Sequence, residues 1–440
     1  MRFLLLNQFY LPDMAPTGAY LHDLARSLVQ RGHSVTVLCS RRSYDGAARY
    51  PAREVMDGVE VVRLPATAFG RRGFVGKLSD YASFYGAMLF ALFAGRHRPD
   101  LILSLTTPPY LGLLGKLAAN RHHCRHAHWI MDLYPDVMFA HGMIQQNGVL
   151  ARLLRALTRF QLKGAERVLS LGQFMTARLC AYTGPSTVET STDSIPLWCD
   201  RELKPWPADE PNPLRTQRGW TEGETVFLYS GNMGLGHRFG EFLEAAKQMG
   251  TSGPRWIFSG GGKRRPELMA AAGALSDSRI EFLDYVPAAL LRAHLCSADV
   301  HLASLDSSWR GSIVPSKLQA SFAVGRPVLF VGSRDSETAS WILQSGGGWV
   351  VAENDVPGLL HAVRQALDPA ERARRGEAAL AFASRNFQMT ENCARLARLL
   401  EQSPARQDFP LRTSDSVPVA NGVAPMGQSS PVAPASDHLN

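Results

Sequence analysis

The hydrophobic positions of this chain alternate between two spacings, which predicts a repeated strand–helix order. Phe3–Leu6 is a short apolar run, Tyr20–Gln30 carries apolar residues at helical spacing, and Ser34–Cys39 is again apolar and β-branched. Strands that are apolar on both sides are typical of parallel sheets with helices on both faces. The first half therefore predicts a doubly wound parallel sheet. Further strands predicted in this half are Val59–Leu64, Leu101–Ser104, His128–Met131 and Arg167–Leu171.

A proline-rich segment then interrupts the pattern. Lys204–Pro213 holds four prolines in ten residues, which predicts an interdomain connection. The alternation restarts at Thr225–Ser230. The predicted fold class is α/β, with two Rossmann-like doubly wound parallel-sheet domains, 1–200 and 201–402, facing across a cleft. The last helix of the second domain could pack back on the first, and residues 403–440, rich in Pro, Ser, Ala and Gln, predict a disordered tail.

Charge is distributed unevenly between the two halves. Of 440 residues, 47 are Lys or Arg and 39 are Asp or Glu, a net charge of +8. Residues 1–200 contain 22 basic and 14 acidic residues, whereas the rest contains 25 of each. This asymmetry predicts that the first half faces an anionic partner, either nucleic acid or a lipid surface.

The sequence contains few features that would indicate disulfide bonds, secretion or a membrane-spanning helix. The six cysteines form no C-x-x-C pair and predict reduced thiols of a cytosolic protein. The first residues lack the long apolar run of a secretory signal, and no run reaches the ~20 apolar residues of a spanning helix. The uncharged run Tyr81–Ala94 predicts either a buried core helix or a helix lying in a membrane interface.

Three glycine-containing loops follow predicted strands. Ligands of open parallel sheets bind beyond the carboxyl ends of the strands. Gly18 stands at the start of the first helix, where a ligand could approach free backbone amides. Ser230–Gly236 (SGNMGLG) resembles a diphosphate cradle, although its spacing matches neither the P-loop nor the dinucleotide fingerprint. Gly260–Leu268 (GGGKRRPEL) adds three cations to three glycines. Each loop could equally serve only as a turn or a solvated surface.

Charged residues complete the candidate chemistry. Ser316 is a suitable N-cap for a predicted helix, and Lys317 places a cation beside the free amides, so that together they could neutralise a leaving diphosphate without a metal. Asp132 follows a predicted strand and is a candidate base or sugar-orienting group, with helix capping as the structural alternative. The run His122–His128 invites a metal interpretation, but no second Cys/His pair at ligand spacing follows, so no metal site is predicted.

Taken in order, these segments resemble a bacterial family 4 glycosyltransferase of the GT-B fold. The resemblance lies closest to the branch that includes colanic-acid and other exopolysaccharide or O-antigen sugar transferases. It covers about residues 1–400, and the LYSGNMG segment together with PSK…AVGRP is its most specific part. The segments that carry it are NQFYLPD, GAYLHDLARSLVQRGHSVTVLCS, DLYPD, IPLWCD, LYSGNMGLG, FSGGGKRRPEL and VPSKLQASFAVGRPVLF.

The resemblance implies a retaining, metal-independent sugar transfer in the cleft. The second domain would hold a UDP- or GDP-linked sugar donor and the first an acceptor, with no cofactor. The implied donor-binding residues are Gly231, Asn232, Gly234, His237, Lys263, Arg264, Ser316 and Lys317. The implied catalytic residues are Asp132 and Lys317, and the implied acceptor-binding residues are Gly18 and Tyr134.

This chain departs from the wider family at three positions. Ser312 and Ala320 stand where the family has an E-x7-E pair, and Met131 stands where it often has His. The missing carboxylates leave open a non-catalytic partner subunit that binds a nucleotide sugar. A sugar-nucleotide epimerase on the same fold is a second alternative.

The basic first half fits a membrane partner better than nucleic acid. The acceptors of this family branch are commonly polyprenyl-diphosphate-linked sugars at the anionic inner leaflet, and no nucleic-acid recognition motif is present. We therefore expect a cytoplasmic protein that is peripherally associated with the membrane. The cations that surround or flank the apolar run are Arg41, Arg42, Arg71, Arg72, Lys77, Arg96 and Arg98.

Overall fold

The computed structural model describes residues 1–70, 73–95, 97–183, 191–221, 223–275 and 279–402. Arg71, Arg72 and Arg96 of the expected basic flank lie outside the described residues. The tail 403–440, for which the sequence predicts disorder, also lies outside them.

Eight strands of the first half form one sheet. Their order is third, fourth, second, first, fifth, sixth, seventh and eighth, and all neighbours are parallel except the antiparallel third and fourth strands. The strands are β1 (Arg2–Leu6), β2 (Ser34–Ser40), β3 (Arg53–Met56), β4 (Val59–Leu64), β5 (Leu101–Ser104), β6 (Arg125–Trp129), β7 (Arg167–Ser170) and β8 (Ser191–Ser194). The helices of this half are α1 (Pro16–Gln30), α2 (Phe74–Ala94), α3 (Leu111–His122), α4 (Asp136–Ala140), α5 (Val149–Leu162) and α6 (Gln173–Thr183).

The second half forms a six-stranded sheet in which all neighbours are parallel. Its strands are β9 (Val226–Ser230), β10 (Arg255–Ser259), β11 (Ile280–Leu283), β12 (Val300–Leu305), β13 (Val328–Gly332) and β14 (Gly348–Val351), in the order β11-β10-β9-β12-β13-β14. Its helices are α7 (Pro213–Gln217), α8 (Gly240–Met249), α9 (Arg265–Gly273), α10 (Leu291–Cys296), α11 (Lys317–Ala323), α12 (Glu337–Ser345), α13 (Val356–Ala366), α14 (Pro369–Asn386) and α15 (Met389–Glu401). The predicted pair of doubly wound α/β sheets is thus confirmed.

Two edge strands, and the placement of one further strand, differ from the sequence prediction. β3 (REVM) and β8 (STDS) lie at the two edges of the first sheet, and their polar sequences give no apolar signal. β6 spans Arg125–Trp129, whereas the sequence predicts His128–Met131. The strand ends early because the amides of Met131 and Asp132 turn to the hydroxyl of Thr106, at 3.2 and 3.1 Å.

Helix α15 packs against the first half of the chain. Cys393, Leu396 and Leu400 join the same buried cluster as Leu21 and Leu28 of α1. Glu401 also accepts hydrogen bonds from Arg31 and His33. The C-terminal helix therefore ties the two halves together on the face of the first sheet that α1 covers.

Helix α2 combines the two alternatives left open by the sequence. Phe84, Met88 and Leu92 are fully buried at helical spacing and pack on the first sheet. On the opposite side, Phe90 is 74% exposed and Val75 is 76% exposed. The helix therefore closes the core with one face and presents an apolar face outward. No helix in the described part of the chain is long and apolar enough to cross a bilayer.

Candidate active site

The strand order reverses at one point in each sheet, between β1 and β5 and between β9 and β12. Loops that leave the carboxyl ends of strands at such a switch point diverge and open a crevice, which is where open α/β sheets bind ligands. Lys317 begins the helix that follows β12, and Asp132 lies in the loop that follows β6, the neighbour of β5.

A lysine–histidine pair forms the centre of the second-sheet site. Lys317, the first residue of α11, lies 3.1 Å from His237 Nε2 through its Nζ. The Nδ1 of His237 lies 2.6 Å from the carbonyl oxygen of Ser304. Because a carbonyl only accepts, Nδ1 carries the hydrogen and Nε2 is free to accept from the lysine. The histidine therefore fixes the position of the Lys317 ammonium group.

The environment of this pair lowers both pKa values. Burial, with the nearby Lys317 charge, lowers the pKa of His237 to about 3, so the imidazole is neutral. Burial also lowers the pKa of Lys317 from 10.5 to about 8. The Nζ lies 4.9 Å from the centroid of the Tyr229 ring, and no carboxylate is bonded to it in the described structure. The site thus presents a poorly compensated cation, which an anionic ligand would stabilise.

Glycines shape the loops around Lys317. A Cβ on Gly231 would lie 3.0 Å from Lys317 Cε, so the predicted diphosphate loop contacts the lysine directly. Gly262 has φ of +129°, and a Cβ there would lie 2.5 Å from the Met233 carbonyl oxygen. The Met233 amide donates to the Gly261 carbonyl oxygen at 2.6 Å. The two glycine loops are therefore packed on each other, and Gly262 serves that packing.

We expect Gly262→Ala to disrupt this loop pair. The new Cβ would meet backbone atoms and force a conformation that L residues rarely adopt, lowering the free energy of unfolding by about 2 kcal/mol. Because loop displacement misplaces the donor site, kcat/KM should fall at least about tenfold. Thermal denaturation and steady-state kinetics would measure both effects. Gly273→Ala is the matched control, since a Cβ there meets nothing within 4 Å.

The remaining predicted donor residues have different surroundings. The Arg264 guanidinium donates to the His237 carbonyl oxygen and to Glu267, both at 2.5 Å, so it supports the loop. Lys263 and Asn232 are exposed, and Asn232 accepts the Tyr229 hydroxyl through its backbone carbonyl. Gly234 lies beside Asn232. Their contacts with a donor remain predictions.

The predicted N-cap position of Ser316, at the start of α11, is confirmed, but the side-chain hydrogen bond that would cap the helix is not made. Its backbone torsions, φ of −80° and ψ of 1°, differ from the extended conformation in which a serine hydroxyl reaches the helix amides. The side chain is exposed instead, and its donor-binding role remains a prediction.

Asp132 is the candidate catalytic residue of the first half and lies in the loop after β6. Its amide is held by Thr106, and no hydrogen bond to its carboxylate is found among the described residues. Burial raises the pKa of Asp132 from 3.8 to about 6. A carboxyl group with a pKa near neutrality and a free side toward a cleft can exchange a proton or stabilise a cationic centre. The alternative of helix capping does not apply, because Asp132 caps no helix in the described structure.

A cleft of about 570 Å³ opens beside Asp132 and Tyr134. It extends to the first turns of α2. Many residues besides Tyr134 therefore line the candidate acceptor site, and the sequence did not indicate them as acceptor-binding. Sequence reasoning missed most of its wall, because these side chains share no motif. These residues follow β2 and β4 along the chain, and the carboxyl ends of both strands lie at the same edge of the sheet as Asp132. That position could have indicated them. Residues that line the cleft include Arg42, Ser43, Tyr44, Thr67, Lys77, Asp80 and Tyr81.

The other residues of the first-half loops are engaged in packing. Gly18 is buried, its amide donates to Ala15, and a Cβ would lie 3.1 Å from the Phe9 carbonyl oxygen. Loop packing accounts for this glycine, and its acceptor role remains a prediction. Asp136 accepts hydrogen bonds from Arg178 and Tyr182, so it fixes α4 against α6.

Direct contacts join the two sides of the site. The Leu133 amide, next to Asp132, donates to the Ser312 carbonyl oxygen at 2.8 Å. The Met175 amide donates to the buried Glu337 carboxylate, also at 2.8 Å. Since Ser312 lies five residues before Lys317, the first bond sets the Asp132 loop against the segment that leads to the lysine.

The run His122–His128 is partly buried. His126 and His128 lie inside the first half under α3, and the His122 ring is bonded to the Leu92 carbonyl oxygen. Across the described ranges, no group of three or more His, Cys, Asp or Glu side chains is arranged to hold a metal ion. All six cysteines are free thiols.

Comparisons with known proteins match both halves. The model of a glycosyl transferase 4-like domain matches residues 17–190, and that of glycosyl transferases group 1 matches residues 224–369. WbjE of Pseudomonas aeruginosa, which is named as a glycosyltransferase, is 26% identical over 64% of this chain and 70% of its own length. WcaI of Escherichia coli K12, named as a colanic acid biosynthesis glycosyl transferase, is 26% identical over 83% of this chain and 92% of its own length.

Solved structures share the fold. Sucrose-phosphate synthase from Thermosynechococcus elongatus superposes with a TM-score of 0.71 at 17% identity, covering 91% of this chain and 98% of that one. Anabaena HepE in complex with UDP-glucose superposes with a TM-score of 0.65 at 15% identity, covering 91% and 99%. These likenesses show that the two-sheet architecture is the GT-B fold.

Proposed function

Because this chain belongs to the family 4 glycosyltransferases of the GT-B fold, we propose that it transfers a hexose from a nucleotide-sugar donor to a saccharide acceptor across the cleft. The observation that carries the proposal is the Lys317–His237 pair at the switch point of the second sheet. The pair provides a fixed cation where a diphosphate would lie. Asp132 provides a carboxylate on the facing loop, which is bonded to the segment before Lys317.

The donor site suits a UDP- or GDP-linked sugar. Neutral His237 leaves Lys317 as the charge that faces the cradle loop Ser230–Gly236. Oriented amides and one ammonium group can stabilise a departing diphosphate, so the reaction needs no metal in this scheme. HepE, which shares the fold, binds UDP-glucose. Addition of EDTA should therefore leave turnover unchanged.

The reaction breaks the bond between the anomeric carbon and the diphosphate oxygen, and the acceptor hydroxyl forms the new bond with retention. Negative charge develops on the diphosphate, where Lys317 lies, and positive charge develops on the sugar ring. Asp132 either stabilises that positive charge or accepts the proton of the acceptor hydroxyl. Closure of the two halves would exclude water, which would otherwise hydrolyse the donor.

The acceptor site lies in the 570 Å³ cleft. One end of the cleft is at Asp132, and the other is at Lys77 and Tyr81 of α2. The Asp80 carboxylate accepts hydrogen bonds from the Phe69 and Gly70 amides, which hold it against the loop before α2. Arg42 and Lys77 have no ion pair among the described residues, so these two cations could bind an anionic group beside α2, although Asp45, Asp80 and Asp132 line the same cleft. A diphosphate-linked saccharide fits this arrangement.

The outer surface of the first half suits an anionic membrane. Helices α2, α3 and α5 lie side by side and expose apolar side chains, with Phe90 and Leu153 among the most prominent. Their sequences contain six Lys or Arg residues and a single acidic residue, Asp80. Apolar burial and attraction to anionic lipid then act together. We propose peripheral association with the inner face of the cytoplasmic membrane and a polyprenyl-diphosphate-linked acceptor.

The relatives indicate the process. WcaI is named for colanic acid biosynthesis, and the sequence covers 92% of its length. We propose that this chain likewise adds a sugar during the assembly of an exopolysaccharide or O-antigen. The acceptor cleft beside a membrane-facing surface supports that assignment, since such polymers are built on lipid carriers.

Vesicle co-sedimentation tests the membrane surface. Phe90→Glu removes an exposed apolar side chain and adds a repulsive charge, so binding to vesicles containing anionic phosphatidylglycerol should fall at least about tenfold. Leu343→Glu, on an exposed site of α12 in the second half, is the matched control and should bind normally. Equal binding of wild type to purely zwitterionic vesicles would count against the electrostatic part of the proposal.

Release of UDP or GDP from a panel of nucleotide sugars tests the function. Turnover should require a polyprenyl-diphosphate-linked sugar and should be small with the donor alone. The second candidate, a non-catalytic donor-binding subunit, is favoured by Ser312 and Ala320, which replace two carboxylates of the wider family. Donor binding without turnover on any acceptor would favour that subunit, and an epimer formed from the donor alone would indicate an epimerase.

A further inference from the structure

A second, much smaller cavity lies behind Asp132, on the side away from the cleft. Its volume is about 10 Å³, the room that one water molecule needs. Asp132, Thr106 and Tyr134 line both this cavity and the cleft, so Asp132 forms part of the wall between them. His128 and Gln161 line its inner side.

His128 is a buried polar side chain that the reaction scheme does not use. It is 1% exposed, and neither ring nitrogen makes a hydrogen bond of normal geometry. The Gln161 carbonyl lies near enough to raise the pKa of His128, but burial outweighs it and lowers that pKa to about 4. The neutral ring therefore has one nitrogen that only a donor can satisfy. The side-chain oxygen of Gln161 also lacks a partner.

Glycine at position 112 holds the ring in this place. A Cβ on Gly112 of α3 would lie 1.5 Å from His128 Cε1, so no larger residue fits against the imidazole. His128 belongs to β6 and Asp132 to the loop that follows it, and both residues line the cavity. Both observations direct His128 toward the cavity that it shares with Asp132.

We propose that one water in this cavity donates one hydrogen bond to His128 and the other to the Asp132 carboxylate. His128 is then a positioning residue: through the water it orients the inner oxygen of Asp132 and leaves the outer oxygen free for the cleft. A water with two protons matches two acceptors, the unprotonated nitrogen and the carboxylate. Because the imidazole is neutral, it adds no charge beside Asp132. The inference rests on the role proposed for Asp132 in sugar transfer.

The titratable groups around the cavity are few. Tyr110 from the start of α3 and Tyr134 from the Asp132 loop line it, and burial raises the pKa of both phenols. Lys116 of α3 acts on His128 from farther away and lowers the pKa of the imidazole. None of these groups changes charge near pH 6. The acid limb of the pH–activity profile, the rise of activity with pH, would therefore report the ionisation of Asp132.

The test compares His128→Leu with His128→Asn in the full chain. Leucine removes the acceptor, so kcat should fall about tenfold and the acid limb should move upward by about half to one pH unit, with the donor KM unchanged. Asparagine keeps a polar partner and should restore most of kcat and of the limb position. Gly112→Ala should reproduce the leucine result by displacing the ring. His301→Asn, at a buried histidine of the second half outside the cavity, is the matched control and should leave the limb in place.

The outcomes separate this inference from the function itself. If Asp132→Asn abolishes transfer while His128→Leu keeps the wild-type pH profile, the inference is overturned and the proposed function stands. If Asp132→Asn retains full activity, the proposed role of Asp132 fails first. A high-resolution crystal structure gives an independent reading if a variant does not fold. Density for a water between His128 and Asp132 supports the inference, and an empty cavity overturns it.

Discussion

Replacing Lys317 by alanine is expected to lower kcat by about 100- to 1000-fold while the protein remains folded. In the proposed reaction the ammonium group lies where negative charge develops on the leaving diphosphate, and removal of one such preorganised donor typically costs this much. Release of UDP or GDP under saturating donor measures the effect. Lys247→Ala, on the exposed side of α8, is the matched control and should retain wild-type turnover.

The pH dependence gives a second test of Lys317. With a pKa of about 8, the group is a cation below that pH and loses its charge as the pH rises. The kcat/KM of the wild-type enzyme should therefore fall on the alkaline side, with an apparent pKa near 8, and Lys317→Ala should lack this limb. An unchanged alkaline limb in the variant would assign it to another group.

Replacing Asp132 by asparagine is expected to lower kcat by about 100- to 10,000-fold, the usual contribution of a positioned proton-transfer group. We expect a loss of kcat in the same range if Asp132 instead stabilises the positive charge on the sugar ring. Since the pKa of Asp132 is about 6, activity should rise with pH through 6 in the wild type, and the variant should lack that rise. Asp209→Asn, in the connection between the halves, is the control and should keep both kcat and the limb.

Although Asp132→Asn should lower kcat, it should raise the free energy of unfolding. The pKa of Asp132 is 3.8 when unfolded and about 6 when folded, so ionising this group disfavours the folded state. The cost is absent below pH 3.8, grows between pH 3.8 and 6, and is complete above pH 6. Asp132→Asn should thus raise the free energy of unfolding at pH 7.5 by up to about 3 kcal/mol and change little at pH 3.5. Denaturant titrations at the two pH values would show whether the gain depends on pH.

Asp132 and Lys317 have similar electrostatic surroundings. Each carries a charge that burial disfavours, and neither has a strong opposite charge bonded to it in the described structure. Lys317 is instead held by a neutral imidazole, and the Asp132 backbone is held by Thr106. Charges left uncompensated in this way can interact strongly with a substrate, which explains why the site would trade stability for activity.

Much of the fold is legible in the sequence because apolar spacing reports burial. The central strands, such as β1 and β9, are apolar throughout and were predicted nearly to the residue. β3 and β8 were missed because edge strands are partly exposed and carry no apolar pattern. The loops at Ser230–Gly236 and Asp132 were also identified, since glycines and a carboxylate after buried strands are visible in a single sequence.

The roles within those loops were harder to predict. Gly262 belongs to the predicted loop of three glycines and three cations, and its lack of a side chain is required by the Met233 backbone. The resemblance implies donor binding for Arg264, which is still a prediction, and in the structure its guanidinium donates to a carbonyl oxygen and to Glu267. Sequence spacing cannot distinguish a glycine or cation that faces a ligand from one that faces a neighbouring loop, because both occur at the same strand ends.

By itself, the sequence determined the two parallel sheets, the family and the positions of Asp132 and Lys317, because hydrophobic periodicity and short motifs are local along the chain. Only the tertiary structure decided that His237 holds Lys317 and that one face of α2 stays apolar and exposed. It also decided that a cleft joins Asp132 to α2. Each of these features depends on residues tens of positions apart that meet only when parallel strands align their carboxyl ends.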